Sequence, residues 1–415
     1  MKTKYILIAA ILLIISQTLS AATRHASQSQ FMSYKGLVMA GYQGWFNAEG
    51  DGGDRGWNHY RKGNKFEPGA CTIDAWPDVS EYEVTYKTKF KNADGSPAYT
   101  FSSYDKSTVD LHFSWMKEYG LDGVFMQRFV QTIKSDVGLK HSNVVLNNAL
   151  EAAEREDRTL SIMYDLSGMH PQDVDKVIED WKMMVDDMKL TSRKENNYLY
   201  HNGKPLVAIW GVGFDNRKYG YAEFDRLIDF FKNDKDYGGC SILLGVPTFW
   251  RELGRDTDGD ERLHEVIKQA DIVHPWFVGR YTQKTFKEFS PLIEADIEWC
   301  RSNDLDYVPV LFPGFTWNNM NPEDEFDANP RNGGKFFWLQ IATAVEMGAE
   351  MIYFAMFDEV DEGTAIFKVS NTPPVGESRF IDNDGLPSDW YLRLAGKAGE
   401  LIRGEIKPSK SLPIK

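Results

Sequence analysis

The sequence predicts an α/β fold, a (β/α)8 TIM barrel, from three observations. From residue 36 onward, eight short runs rich in β-branched and aromatic residues alternate with longer stretches of helical periodicity. Each strand candidate is apolar along nearly its whole length, which is typical of a parallel sheet that is buried on both faces. No glycine-rich phosphate-binding turn follows the first strand candidate, which disfavours a nucleotide-binding version of the alternative, an open doubly wound sheet.

The predicted strands and helices follow one another in strict order. The strand candidates are Leu37–Ala40, Gly123–Phe129, Leu160–Asp165, Leu206–Trp210, Ser241–Gly245, Ile272–Trp276, Tyr307–Phe312 and Met351–Phe357. The helix candidates, whose apolar residues recur three and four positions apart, are Val109–Tyr119, Asn143–Glu156, Val174–Lys189, Ala222–Asn233, Glu261–Ala270, Phe286–Asn303, Lys335–Met347 and Asp389–Glu405. Gly120, Gly238 and Gly348 lie where three of these helices are expected to end.

A long excursion follows the first predicted strand. The segment between Phe46 and Tyr99 is too polar and glycine-rich for one helix, and we expect a small hairpin around Tyr82–Phe90. No proline- or serine-rich linker and no low-complexity stretch divides the rest of the chain. Residues 23–415 are therefore predicted to form one catalytic domain with a loop excursion after strand one.

Residues 1–22 have the pattern of a secretory signal peptide. Lys2 and Lys4 precede an apolar run, Tyr5–Ile15, and the small residues Ser20, Ala21 and Ala22 follow. The apolar run is too short to span a bilayer, which needs about 20 residues. No cysteine follows the expected cleavage point, so a lipid anchor there is not expected. We expect a periplasmic or extracellular protein without a membrane span once the signal is removed.

The composition limits the kinds of molecule that the protein is expected to bind. Hydrophobic residues make up 42% and charged residues 26% of the chain, which indicates a globular protein. The net charge of −14 argues against binding to a nucleic-acid backbone. Cys71, Cys240 and Cys300 are far apart and match no metal-binding spacing, so buried unpaired cysteines are expected.

The active site of a TIM barrel lies at the carboxyl ends of the strands, so those positions carry the candidate residues. As substrate-binding candidates the strand ends provide Tyr42, Trp45, Arg128, Tyr164, Asp165, His274, Trp276, Trp317, Asp358 and Asp361. As catalytic candidates strand eight provides Glu359 and Glu362. The set contains no serine with a histidine partner and no metal-ligand triad, and we expect neither a metal nor a cofactor.

Aromatic rings together with carboxylates are what sugar chemistry requires. The flat C–H faces of pyranose rings lie on Trp or Tyr, and the hydroxyls need polar partners. Cleavage of a glycosidic bond needs one protonated carboxyl and one carboxylate. Four acidic residues in five positions after strand eight raise at least one pKa by mutual repulsion, which suits a general acid. A solvated acidic loop is the alternative, but the position at a strand end favours a function.

The segment Asp358-Glu359-Val360-Asp361-Glu362-Gly363-Thr364 resembles the Asn-Glu-Trp-His-Glu-Gly-Thr segment of glycoside hydrolase family 99, the retaining endo-α-mannosidases related to family 71. The stretches 41–46, 164–165, 313–317 and 330–331 are also similar. The resemblance implies that Glu362 is the acid/base on the glycosidic oxygen. It also implies that Glu359 deprotonates the sugar 2-hydroxyl, so that O2 attacks C1 through a 1,2-anhydro intermediate.

Three positions depart from the family pattern: Asp358 replaces asparagine, Val360 replaces tryptophan and Asp361 replaces histidine. We therefore expect a divergent branch that cleaves α-linked glycosidic bonds of an α-mannan or α-glucan polysaccharide or oligosaccharide, with retention. Three alternatives stay open at this point: a barrel that binds carbohydrate without cleaving it, a glycosidase directed at xylan or arabinan, and a metal-dependent hydrolase using Asp165, His274 and the strand-eight acids.

Residues 256–261 begin like a calcium loop, with Asp256, Asp258 and Asp260 at alternate positions. Ile267 stands where an EF-hand needs a bidentate glutamate, so an EF-hand is not expected. A group that caps the following helix is the favoured interpretation, with a looser calcium site as the alternative.

Overall fold

The structure of the protein is a computed structural model that describes residues 24–415. The predicted signal peptide, residues 1–22, lies outside the described residues. Within the described residues, no helix is both long and apolar enough to cross a membrane.

Eight parallel strands form the centre of the fold. In chain order they are β1 (Val38–Tyr42), β2 (Gly123–Phe129), β3 (Thr159–Asp165), β4 (Lys204–Trp210), β5 (Ser241–Pro247), β6 (Ile272–Trp276), β7 in two segments (Asp306–Tyr307 and Val310–Leu311) and β8 (Ile352–Phe354). Each strand pairs with the next, and β8 pairs with β1 through Val38↔Ile352, so the sheet closes into a barrel. The predicted (β/α)8 fold is confirmed.

Strand β7 is divided because Pro309 lies at its middle. Proline has no N–H to donate to a ladder, so pairing stops at Tyr307 and resumes at Val310. The first segment pairs with β6 and the second with β8, which keeps the barrel closed across the interruption. The sequence predicted one continuous strand here, and this detail of the prediction was wrong.

In residues 24–415 eight helices of six or more residues cover the barrel, one after each strand, and a single helical turn, Val130–Ile133, directly follows β2. They are α1 (Lys106–Tyr119), α2 (Asp136–Glu156), α3 (Val174–Asp186), α4 (Tyr221–Asn233), α5 (Arg262–Ile267), α6 (Phe286–Ser302), α7 (Lys335–Glu346) and α8 (Trp390–Ile402). α1 ends at Gly120 in the left-handed conformation, with φ of 78°, as its glycine predicted. α2 begins seven residues earlier than predicted, since Ser135 caps it by accepting a hydrogen bond from the N–H of Gly138 (3.1 Å).

The excursion after β1 is ordered and packs on the barrel. It contains a two-stranded antiparallel hairpin, Tyr86–Lys91 with Pro97–Thr100, which lies a few residues later than predicted. Phe66, Trp76 and Phe90 form an aromatic cluster beneath it, with ring centroids 5.0–6.1 Å apart. The three cysteines are buried and unpaired.

Asp256 to Asp260 form no metal cluster. Asp256 pairs with Arg280, and the Oδ1 of Asp260 accepts a hydrogen bond from the N–H of Arg262 at the start of α5 (2.9 Å). No group of three His, Cys, Asp or Glu side chains in residues 24–415 is arranged to hold a metal ion.

A buried ion pair joins the barrel to its helix layer. The guanidinium of Arg128 on β2 leaves the barrel and binds both carboxylate oxygens of Asp180 on α3, with Nε to Oδ2 at 2.7 Å. The hydroxyl of Tyr164 on β3 donates to the same Oδ2 (2.8 Å), and Asn143 accepts from the guanidinium (2.9 Å). Because both ions are buried, each depends on its partner for compensation.

Replacing Asp180 by alanine leaves Arg128 buried without a counter-charge, so we expect the free energy of unfolding to fall by about 3–5 kcal/mol. Urea unfolding checks this value. The matched control is Glu179→Ala, which breaks the exposed Lys176–Glu179 pair one residue away and should change stability by less than about 0.5 kcal/mol. Equal losses in the two variants would contradict the structural role of the buried pair.

Candidate active site

A cavity of about 180 Å³ opens at the carboxyl end of the barrel. Its wall is made of aromatic rings, two amides, two methionines and three carboxyl groups: Gln43, Trp45, Gln127, Phe129, Met163, Asp165, Trp210, Trp276, Met356, Glu359 and Glu362. Four of the eight strands, β2, β3, β4 and β6, and the loops after β1 and β8 contribute to it. This combination of flat apolar rings and acids is suited to a sugar ring and its hydroxyls.

The two glutamates of the cavity have different surroundings. Glu359 accepts a hydrogen bond from the Nε2 of Gln43 at Oε1 (2.6 Å) and one from the hydroxyl of Thr364 at Oε2 (2.7 Å). No group in residues 24–415 donates a hydrogen bond to the carboxyl of Glu362, although it lines the same cavity. Donors stabilise the ionised form of a carboxyl group, so the hydrogen bonds of this site support a carboxylate at Glu359 more than one at Glu362.

Burial raises the pKa of every carboxyl group in the strand-eight segment. Loss of hydration raises the pKa of Glu362 to about 8, and the charge of Asp361 adds to the shift. The same loss raises the pKa of Asp361 to about 8 and that of Asp358 to about 7. The pKa of Glu359 is also raised by burial and by the charges of Glu362 and Asp361, while its two donors oppose the shift. The group of four therefore holds protons at neutral pH.

Asp358 supports the loop after β1. Its Oδ1 accepts from the backbone N–H of Gln43 (2.7 Å) and its Oδ2 from that of Gly44 (2.9 Å). Both carboxylate oxygens are thus used by the backbone, and the side chain is fully buried. Asp358 therefore holds Gln43 in the position from which its amide reaches Glu359. Because both carboxyl oxygens of Asp358 are already used, they are not available to a substrate.

Asp361 contacts a histidine of the excursion. Its Oδ2 lies 3.1 Å from the Nδ1 of His59, and the ring of His59 stacks on Trp45 with centroids 3.7 Å apart and planes 4° from parallel. Burial lowers the pKa of His59 well below its usual value, so the ring is neutral. Asp361 therefore orients His59, and His59 in turn supports the ring of Trp45, which lines the cavity.

A second support from the excursion is Asp74, which the sequence analysis did not single out. Its carboxylate accepts from the hydroxyl of Thr316 (2.6 Å) and from the backbone N–H of Asn318 and Asn319 (both 2.8 Å). Its own backbone N–H donates to Val360 (2.9 Å). Asp74 thereby joins the loops after β7 and β8, and no local pattern marks it because both partners are distant in sequence.

Three predicted binding residues do not face the cavity. The hydroxyl of Tyr42 bonds to His112 on α1 (2.8 Å), and Arg128 and Tyr164 both contact Asp180 on α3. For these three the structure corrects the prediction, and the partner expected for Arg128 among the strand-eight acids or on the substrate is Asp180 instead. Side chains alternate along a strand, so their neighbours Gln43, Gln127 and Asp165 face inward in their place.

Two further candidates lie away from the cavity wall. His274 is fully buried in the barrel interior, edge-on to Tyr353 with centroids 4.4 Å apart, and neither ring nitrogen has a partner. Burial lowers its pKa to about 3. Trp317 packs on Phe315 in the loop after β7 and is not among the cavity-lining residues. His274 does not join Asp165 and the strand-eight acids in a metal-binding group within residues 24–415.

The remaining predicted residues come together. Trp45, Asp165, Trp276, Glu359 and Glu362 all line the cavity. Burial raises the pKa of Asp165 to about 6, although its Oδ1 accepts from the N–H of Ser167 (2.7 Å). Cavity residues that the analysis did not select are Gln43, Gln127, Phe129, Met163, Trp210 and Met356. Gln43, Gln127 and Trp210 stand at predicted strand ends, but no local signal shows which residue of each strand end faces inward.

Comparison with known proteins supports the class of this site. No protein-family model matches the chain. Glycoprotein endo-α-1,2-mannosidase of Mus musculus is 19% identical over 401 residues, covering 89% of this chain and 75% of that protein. A second mouse protein, named glycoprotein endo-α-1,2-mannosidase-like, is 27% identical over 136 residues. That match spans only 31% of this chain and 30% of the relative.

Solved structures agree with these matches. The family 99 endo-α-mannosidase of Bacteroides thetaiotaomicron superposes with a TM-score of 0.65 at 16% identity, covering 90% of this chain and 99% of that chain. A protein described as glycoside hydrolase-like superposes with a TM-score of 0.52 at 13% identity, covering 79% and 93%. The resemblance to family 99 and the expectation of a glycoside hydrolase are confirmed at the level of class, and the fold is shared.

Replacing Asp358 by alanine leaves two buried backbone donors without acceptors, each costing about 1–3 kcal/mol. We expect lower stability in urea unfolding and faster amide exchange at Gln43 and Gly44. Asp358→Asn keeps one acceptor and should lose less. Glu377→Ala, an exposed residue of the segment after β8, is the control. A wild-type exchange rate in Asp358→Ala would refute the supporting role.

Proposed function

We propose that the protein is a secreted glycoside hydrolase that cleaves an α-linked glycosidic bond of a polysaccharide or oligosaccharide with retention at C1. The observation that carries the proposal is the unequal environment of two glutamates in one aromatic cavity. Glu359 has two hydrogen-bond donors, and Glu362 has none in the described chain. The first environment suits a base and the second an acid.

The reaction proceeds in two steps. Glu359 removes the proton of the sugar 2-hydroxyl, O2 forms a bond to C1, and the bond from C1 to the leaving oxygen breaks. Glu362 gives its proton to that oxygen. Water then attacks C1 of the 1,2-anhydro sugar, the bond from C1 to O2 breaks, Glu362 takes a proton from the water, and Glu359 returns its proton to O2. Two inversions at C1 give net retention.

Gln43 assists the base in this scheme. Its amide donates to Oε1 of Glu359 and is held there by Asp358. Its own Oε1 is buried and has no partner among residues 24–415. That oxygen is an acceptor for a sugar hydroxyl, which would satisfy it when substrate binds.

The substrate we propose is an α-mannan or α-glucan type of glycan. The named relatives are endo-α-1,2-mannosidases, and the superposed family 99 structure is an endo-α-mannosidase, which makes an α-mannoside the first candidate. Two of the three residues that differ from the family segment, Val360 and Asp361, are buried and engaged by the excursion through Asp74 and His59. Because these residues flank the site, the second substrate that we propose is an α-glucan. In an α-glucoside O2 lies on the same face of the ring as the leaving oxygen and cannot displace it, so the scheme through O2 applies to the α-mannoside alone.

Export to the periplasm or beyond is part of the proposal. It rests on Lys2 and Lys4, the apolar run Tyr5–Ile15 and the small residues before position 23. A polysaccharide substrate is consistent with this location, because such polymers are met outside the cytoplasm.

Replacing Glu362 or Glu359 by glutamine should lower kcat/KM by about 10²–10⁴-fold, since each variant loses a proton-transfer group. The mature protein is incubated with α-mannans, α-1,3-glucans, xylans and arabinans, and products are read by mass and by anomeric NMR. Glu377→Gln, an exposed glutamate, is the control and should keep wild-type rates. Binding without product from any polymer, equal in wild type and Glu362→Gln, would favour a non-catalytic carbohydrate-binding barrel.

The pKa of Glu362 predicts how the variant changes stability with pH. Its folded-state pKa of about 8 exceeds the ordinary 4.5, so the native state binds the extra proton between these values and loses stability as pH rises through them. Glu362→Gln removes this pH-dependent contribution to the stability of the folded state. We expect its Tm to exceed that of wild type increasingly from pH 5 to pH 8.5, measured by calorimetry. A constant Tm difference across that window would show that Glu362 is not protonated by burial.

A further inference from the structure

One arginine beside the cavity has no acidic partner. Arg217 follows β4, and its guanidinium lies over the rings of Trp210 (5.6 Å) and Phe214 (4.8 Å). Its Nε is buried and has no hydrogen-bond partner in the described chain. Trp210 forms part of the cavity wall, so the charge of Arg217 stands next to the space that a sugar would occupy.

Three other arginines of this part of the chain are different, whereas Arg255 also stacks on aromatic rings without an ion pair in the described residues. Arg226, Arg251 and Arg280 each form an ion pair with an aspartate or glutamate. None of the ion pairs found among residues 24–415 includes Arg217. The positive charge of Arg217 also lowers the pKa of Asp165 across the cavity wall, without reaching ion-pair distance in the described structure. A guanidinium held in place but lacking an anion is a receptor for a carboxylate or sulfate.

The loop that carries Arg217 is fixed before any ligand binds. Gly211 and Gly213 have φ values of 106° and 81°, a backbone conformation that is strained for residues with a side chain. The N–H of Asp258 donates to Gly213 (2.8 Å), and that of Asp215 donates to Asp256 (3.1 Å). Arg217 is therefore presented by a rigid turn, which lowers the entropy cost of binding through it.

A second guanidinium near the cavity forms no direct ion pair within residues 24–415, although the charge of Asp51 acts on it. Arg55 of the excursion lines a narrow pocket that shares Gln43, Trp45 and Gln127 with the cavity. Its only side-chain partner is the neutral Oδ1 of Asn47 (3.1 Å), again within the described chain. Two guanidinium groups, of Arg217 and Arg55, thus lie close to residues of the cavity wall.

We infer that the glycan bound here is acidic, and that Arg217 binds a carboxylate or sulfate ester on the sugar that lies against Trp210. The inference deepens the proposed hydrolase function by naming the chemistry of its substrate, and it rests on that function for the identity of the cavity. Arg217 is a specificity residue in this assignment. Its two N–H groups pair with two anion oxygens, while the ring of Trp210 contacts the sugar face.

The test measures binding without turnover by titration calorimetry on Glu362→Gln. The probes are α-1,4-oligogalacturonides with their methyl esters, and α-mannan oligosaccharides before and after chemical sulfation. The two members of each pair have the same sugars and linkages and differ at the acidic group. The first pair compares a carboxylate with its neutral ester, and the second compares a sulfate ester with a neutral hydroxyl. We expect one acidic form to bind at least about tenfold more tightly than its neutral partner, with the difference reduced in ~0.5 M salt.

Arg217→Gln, added to this protein, should remove about tenfold of the affinity for the acidic form and change the neutral form by less than about twofold. Arg217→Lys keeps the charge but not the paired N–H groups, and should recover part of the loss. The matched control is Arg255→Gln, because Arg255 also stacks on two rings, Phe249 (4.2 Å) and Phe289 (5.7 Å), but contacts no cavity residue. Thermal unfolding verifies that all variants are folded.

Three results would overturn the inference: equal binding of acidic and neutral forms, no binding of either acidic form, or an Arg217→Gln loss that is the same for both forms. These outcomes are separate from failure of the hydrolase proposal. Cleavage of a neutral polymer with no preference for acid removes only the inference. Charge-dependent binding through Arg217 with no cleavage of any polymer supports the inference and removes only the hydrolase.

Discussion

The junction between the last and the first barrel strands is the constraint on which the site depends. Pairing of β8 with β1 closes the barrel and brings Asp358 to the two backbone N–H groups of the loop after β1. The same loop then directs Gln43 to Glu359. The contacts that close the barrel therefore also fix the hydrogen bonding of Glu359, the proposed base. A change that disturbs the closure is expected to disturb these hydrogen bonds as well.

The strand-eight segment carries buried acids whose hydration is lost, which is unfavourable to folding. Supports from several directions hold it in spite of this. The guanidinium of Arg331 donates to the backbone carbonyls of Gly363 (2.8 Å) and Ala365 (2.6 Å). The backbone N–H of Thr316 donates to the backbone carbonyl of Glu362 (3.0 Å). Burying these acids lowers the stability of the folded protein but raises their pKa values, a combination that is common in active sites.

Much of the fold was predictable because its signals are local. Strand β2 and strand β6 were predicted with their observed bounds, since a short apolar run between turns has few other interpretations. The pairing of Glu359 with Glu362 in one cavity was also predictable, because both follow the eighth strand directly. The hairpin of the excursion was displaced by several residues, since its pairing depends on packing against Trp76 rather than on a turn motif.

The sequence by itself determined the alternation of eight strands and helices, the end of the barrel where the cavity opens, and the two glutamates that line it, because periodicity and position along the chain carry these. Only the tertiary structure decided which neighbour in each pair faces inward: Gln43 rather than Tyr42, and Gln127 rather than Arg128. A strand buried on both faces is apolar throughout, so its alternation leaves no mark in the sequence. Partners such as Asp180 for Arg128 are set by the packing of helices on the barrel.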